Sequence, residues 1–146
     1  ADRVDGYAMV LNKSKFQNNF FDENIFMYLE NDDLCLRMKK QNEKIYVYKK
    51  SIIEHKGASS IDKKYSEEVE LSRNWHWMWS KFYFRRKHKG FINAFLFNFP
   101  TFIKSCFKIF YYLFKNKQKS KIYTCRASGF VNSFLNKKSW YRPKID

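Results

Sequence analysis

Hydrophobic positions follow two regimes, short apolar runs up to about residue 60 and helical spacing beyond it. Ala8-Met9-Val10-Leu11 is a short apolar run and reads as a buried strand. Residues 13–19 read as a short helix or turn, and residues 20–29 as aromatic-rich and irregular. Leu34, Leu36 and Met38 belong to a helix that Asp32 or Asp33 can cap. Arg37, Lys39 and Lys40 lie toward its C-terminal end, where the helix dipole favours cations. Ile45-Tyr46-Val47-Tyr48 is β-branched and aromatic and predicts a strand; Ile52-Ile53 predicts another. Gly57-Ala58-Ser59-Ser60 then breaks regular structure.

From about Tyr65 the pattern turns helical. Residues 67–89 have few breakers and predict one long helix ending at Gly90. Residues 91–115 predict a second, interrupted by Pro100. Residues 115–121 look like a cationic linker, and residues 129–134 with Trp140-Tyr141-Arg142-Pro143 close the chain. The pattern therefore predicts α/β first and helices afterwards, with a division at residues 1–62 and 63–146. No internal repeat or low-complexity segment is visible.

Charge sharpens that division. Residues 1–62 carry ten acidic and ten basic side chains, whereas residues 63–146 carry four and nineteen. The whole net charge of +15 lies in the second part, which suits an anionic surface. With 146 residues, 45% of them hydrophobic, the chain can bury one core. Its start at Ala1, directly in patterned sequence, suggests a fragment, and a processed N-terminus would look the same. Cys35, Cys106 and Cys125 are odd in number and widely spaced, which argues against a zinc site or disulfide framework and for a reducing compartment. No signal peptide is visible.

Glu30-Asn31-Asp32-Asp33 puts three carboxylates in four positions at the start of a helix. Such acids serve capping, and a carboxylate at a helix start can also act as a general base. The segment Asp22-Glu23-Asn24-Ile25-Phe26-Met27-Tyr28-Leu29-Glu30-Asn31-Asp32-Asp33-Leu34-Cys35-Leu36-Arg37 resembles a motif of family 2 glycosyltransferases, especially the rhamnosyltransferase-like branch. Val4-Asp5-Gly6-Tyr7-Ala8-Met9-Val10-Leu11 resembles the strand preceding it. Ile45-Tyr46-Val47-Tyr48 with Ile53-Glu54-His55-Lys56-Gly57-Ala58-Ser59 resembles the strand and His-containing segment following it.

The resemblance implies the C-terminal, acceptor-side part of a nucleotide-diphospho-sugar transferase (GT-A-like) α/β fold, followed by an α-helical extension. It implies inverting transfer from a nucleotide-sugar donor to a glycan or lipid-linked acceptor. Glu30 is then the expected base, Asp32 the alternative, and Asp33 an orienting or acceptor-binding group. The family often places its base where Asn31 stands, and an amide cannot take that role. Asn31, Arg37 and Trp79 are the expected acceptor contacts. His55 is expected on a divalent cation, Mg²⁺ or Mn²⁺, that bridges diphosphate oxygens. The partner Asp-x-Asp motif is absent from the chain, as is a Gly-rich phosphate loop, so these residues alone are expected to be inert.

Residues 91–114 are dense in Phe, Tyr, Leu and Ile, yet their longest charge-free run, 91–103, is shorter than the ~20 residues a spanning helix needs. An interfacial helix on an anionic membrane surface fits, peripheral on the cytoplasmic face of the inner membrane. Packing of these aromatics against the rest of the protein is the competing reading. No nucleic-acid-binding signature is present, and the apolar content exceeds what a phosphate-tracking surface requires. The rival function from another class is a non-enzymatic basic peripheral membrane or scaffold protein.

Overall fold

The computed structural model describes residues 1–16, 19–55 and 62–144. The expectation of an α/β fold is overturned: the described residues form four α-helices and two 3-10 turns, with no strand and no sheet. Helix α1 is Glu30–Lys40, α2 is Ser66–Lys89, α3 is Phe91–Leu113 and α4 is Lys117–Phe134. Ala8-Met9-Val10-Leu11, Ile45-Tyr46-Val47-Tyr48 and Ile52-Ile53 run as irregular backbone, and Val10 and Ile52 are 103% and 97% exposed. The physical reason is that a helix closes its own backbone hydrogen bonds, whereas a strand depends on a neighbour. β-branched and aromatic residues favour a pleated surface but cannot supply the missing neighbour. The predicted Gly57-Ala58-Ser59-Ser60 breaker lies outside the described residues.

Helix α2 follows the prediction closely. Glu67 and Glu68 stand in its first turn, and Arg86, Lys87, His88 and Lys89 in its last, as the macrodipole favours. Gly90 then takes φ 85° and ψ 166°, a region open essentially to glycine, and turns the chain into α3. The predicted break at Pro100 does not occur, and α3 runs through it. A proline inside a helix costs about 3 kcal/mol, and packing of α3 against α4 and α2 outweighs that. The stretch read as a linker instead starts α4. Asn116 caps it, its side-chain oxygen accepting from the Lys119 N–H at 2.9 Å.

Helices α2, α3 and α4 pack on one another around Met78, Phe82, Ala94 and Phe130, with Phe95 and Phe102 at the edge. Trp75 and Trp79 continue the buried face of α2. Gly129 of α4 lets the two backbones approach closely. A Cβ there would lie 2.3 Å from the Trp75 carbonyl oxygen. The C-terminal segment folds back over α2. His76 Nε2–H donates to the Tyr141 carbonyl at 2.8 Å, the Ser139 hydroxyl donates to His76 Nδ1 at 3.0 Å, and Trp79 Nε1–H donates to the Lys137 carbonyl at 3.0 Å. Among the described residues, no helix is long and apolar enough to cross a membrane.

Candidate functional site

Two consecutive non-glycine residues, Tyr28 (φ 68°) and Leu29 (φ 67°), adopt left-handed backbone immediately before α1. Each such residue costs on the order of 1–2 kcal/mol, and contacts on both sides hold the turn in place. The Ser80 hydroxyl of α2 donates to the Met27 carbonyl at 2.7 Å, and the Asp33 N–H donates to the Leu29 carbonyl at 2.8 Å. The turn presents Glu30 as the first residue of α1. Its Oε2 is buried and has no hydrogen-bond partner among the described residues. An unpartnered buried carboxylate oxygen is costly, and such groups concentrate at sites that meet a ligand.

Asp32 and Asp33 do not cap α1, contrary to expectation. The N-cap is Leu29, which makes no side-chain cap, and both acids lie inside the first turn. Asp32 faces outward and pairs with Arg3 at 3.2 Å. Asp33 points inward and is fully buried. Its Oδ1 accepts from Lys87 Nζ and His88 Nε2, each at 2.7 Å, and its Oδ2 from Arg37 Nε at 2.9 Å. Arg37 also donates to the Phe20 carbonyl. Lys87 reaches Asp22 Oδ2 at 2.7 Å, which the Tyr83 hydroxyl also meets at 2.8 Å. This lattice fixes α1 and the segment before it to the C-terminal half of α2. Asp33 and Arg37 are occupied in it, so their role is to position α1. Beside the lattice opens a shallow cavity of about 470 Å³, lined by Asp22, Glu23, Arg37 and Lys87 among others and not by Glu30.

The pH behaviour of the lattice follows from its charges. Burial alone would raise the Asp33 carboxyl, but hydrogen bonds from Lys87, Arg37 and His88 outweigh it and hold the group below its ordinary value. Asp22 is likewise opposed by burial and drawn down to about 2, chiefly by Lys87. Burial lowers His88 and His76, so both stay neutral. For each of these groups the unfolded chain takes up a proton before the folded one does. Stability therefore falls with acidification, first below about pH 6.5 through the histidines and then from about pH 4 toward 2 through the aspartates. Denaturant midpoints measured across that range should fall in both windows, and a midpoint flat between pH 7 and 3 would contradict the lattice.

The N-terminal segment joins the start of α1 on one side and His55 on the other. Asn31 Nδ2–H donates to the Val4 carbonyl at 2.9 Å, and a Cβ on Gly6 would lie 3.6 Å from Asn31 Cβ. The next residue, Tyr7, stacks on His55 with ring centroids 4.9 Å apart. His55 is exposed and held by that stack. Among the described residues, no group of three His, Cys, Asp or Glu side chains is placed to hold a metal ion. The rest of the His55 segment, Lys56-Gly57-Ala58-Ser59, lies outside the described residues.

Trp79 is not available as an acceptor contact. Its ring is buried, stacked between Trp75 and Tyr83. Trp77, on the opposite face of the same helix, is 40% exposed and meets Tyr28 edge-on at 5.5 Å, with Lys81 Nζ 5.5 Å from its ring centroid. Tyr28 lies two residues before Glu30, and Trp77 is the member of the Trp75-His76-Trp77-Met78-Trp79 aromatic cluster whose ring stays partly exposed. The two-residue offset from Trp75 and Trp79 was the available signal, since it turns Trp77 to the opposite side of the helix. No protein-family model, curated protein or solved structure matches the chain.

Proposed function

We propose that this chain is the acceptor-side portion of a glycosyltransferase that moves a sugar, with inversion, from a nucleotide-sugar donor to a glycan or lipid-linked acceptor. The observation that supports the reading is a strained helix start, joined by the Val4–Gly6 segment, whose Glu30 carboxylate has a buried oxygen without a partner among the described residues. Glu30 is the base that takes the acceptor hydroxyl proton as that oxygen attacks the anomeric carbon. Asp33, Arg37, Lys87 and His88 hold α1 in position. Tyr28 and Trp77 offer aromatic faces for an acceptor sugar ring. A divalent ion, if the donor diphosphate brings one, would take at most His55 from the described residues, and no step is derived through it.

The protein works peripherally, on the cytoplasmic face of the inner membrane, where lipid-linked acceptors are reached. Three free cysteines and a cationic second half support that placement. A second reading is a non-enzymatic basic peripheral membrane or scaffold protein, which the cationic second half suits equally.

Saturation-transfer NMR with a panel of oligosaccharides and nucleotide sugars separates the two. Glycan signals should be saturated by the protein, and Trp77→Ala should weaken the affinity by roughly two- to tenfold, since an aromatic stack contributes on the order of 0.5–1.5 kcal/mol. Nucleotide sugars alone should give no signal. Absence of any glycan binding would favour the scaffold.

A further inference from the structure

Helix α3 carries an apolar stripe that stays exposed among the described residues. Ile92, Leu96, Phe99, Ile103, Phe107 and Phe110 follow one another at spacings of four, three, four, four and three residues. At 100° per residue they fall within an arc of about 80°. The opposite side of the helix buries Ala94, Asn98 and Ser105 against the bundle. All six stripe residues are exposed, Phe107 and Phe110 at 71% and 74%, and Phe114 just beyond the helix extends the line at 92%. Over 23 residues the helix measures about 34 Å. An exposed apolar strip of that length is unusual on a monomer and marks a contact surface.

Charge identifies what it contacts. Between residues 71 and 145 the chain has seventeen Lys and Arg and no Asp or Glu. Lys104 stands on α3 itself, and Lys115, Lys117 and Lys119 follow its end, all exposed. Lys115 and Lys119 lie over the Tyr111 and Tyr112 rings rather than against carboxylates. A second copy of the chain on the same stripe would bring two +15 surfaces together, which self-repulsion opposes. A nucleic acid would use the lysines and leave six aliphatic and aromatic side chains in water. An anionic bilayer uses both, with acyl chains for the stripe and phosphates for the lysines.

We infer that the outward face of α3 is a docking surface for an anionic lipid bilayer. The helix lies in the interface plane, with Phe107 and Phe110 below the phosphates and Lys104, Lys115 and Lys117 at their level. The inference rests on the peripheral placement proposed above. It adds the face that makes the contact and the lipid charge it needs.

Co-sedimentation of the purified protein with sucrose-loaded vesicles tests it, with neither sugar nucleotide nor glycan present, so failure here and failure of the acceptor reading are separable. Vesicles of phosphatidylcholine with about one third phosphatidylglycerol should bind the protein at least tenfold more tightly than phosphatidylcholine alone, and added salt should weaken that binding. Phe107→Asp with Phe110→Asp should reduce binding at least tenfold while leaving the helical circular dichroism unchanged, because both side chains are exposed. Lys104→Gln with Lys117→Gln should flatten the salt dependence. Equal binding by the Phe variants would overturn the inference, as would no binding by the unsubstituted protein. A lipid-free dimer that the Phe variants dissociate would assign the stripe to a second copy instead. RNA that displaces the protein from vesicles through the same stripe would assign it to nucleic acid.

Discussion

Gly129→Ala is expected to lower the thermal midpoint by roughly 10 °C, equivalent to about 3 kcal/mol. Alanine improves helix propensity by about 1 kcal/mol, so an exposed helical glycine would gain from the change. Gly129 is not exposed. The added Cβ would sit 2.3 Å from the Trp75 carbonyl oxygen, 3.1 Å from its carbon and 3.3 Å from the Trp79 nitrogen. These are backbone atoms of a packed helix and cannot rotate aside. The axes of α2 and α4 must part, and the contacts of Trp75, Phe82 and Phe130 loosen with them. Overpacking of this kind usually costs 1–3 kcal/mol, and here the misfit meets backbone on three atoms, so the upper end applies. Gly90→Ala meets nothing within 4 Å but keeps a backbone conformation open essentially to glycine, so about 2 kcal/mol is expected there. Gly6→Ala makes ordinary contact and should be close to neutral. Thermal melts of the three variants check the ranking, and a Gly129→Ala protein as stable as its parent would contradict the helix crossing.

Asp33→Ala is expected to be comparably severe, at about 3 kcal/mol. Removing the carboxylate strands three donors, Lys87, His88 and Arg37, around a site with no other anion than Asp22 among its described contacts. Breaking a buried pair from one side costs more than the pair contributes, because the remaining charge is left desolvated. Lys87 is partly exposed and can swing toward water, which holds the loss near the lower end of the usual range. The double variant Asp33→Ala with Lys87→Met should recover part of it, since both charges leave together. Chemical denaturation of the two singles and the double gives the coupling directly. Fully additive losses would mean that the two side chains do not interact. Loosening of α1 should also weaken the glycan binding proposed for Tyr28 and Trp77.

The helical half was largely legible in the sequence, because its signals are local. Acids at one end, bases at the other and Gly90 beyond them fixed α2 to within a residue. Helix α4 was missed because its buried face is Ser120, Gly129, Phe130 and Ser133, small and polar residues that leave no apolar stripe. Pro100 misled for a related reason: a local penalty does not register the packing that overrides it. The strands failed on a nonlocal requirement, since Val10 and Ile52 have the right side chains and no partner for their backbone.

The sequence placed a helix start at the acidic motif, where α1 begins, but not which of its side chains would be paired. Asp33 is committed to partners more than fifty residues away, and no spacing rule connects positions 33, 87 and 88. That Glu30 keeps a buried oxygen without a hydrogen-bond partner among the described residues emerges only from the folded chain.

The central claim is that Glu30 is the base of a sugar transfer. The most direct measurement uses the protein produced from its complete reading frame. It follows the transfer of labelled sugar from a panel of nucleotide sugars into membrane lipid and glycan acceptors, for the parent and for Glu30→Gln. The parent should transfer sugar, and turnover should fall roughly 100-fold or more in the variant, the usual contribution of a general base. Transfer undiminished in Glu30→Gln would contradict it.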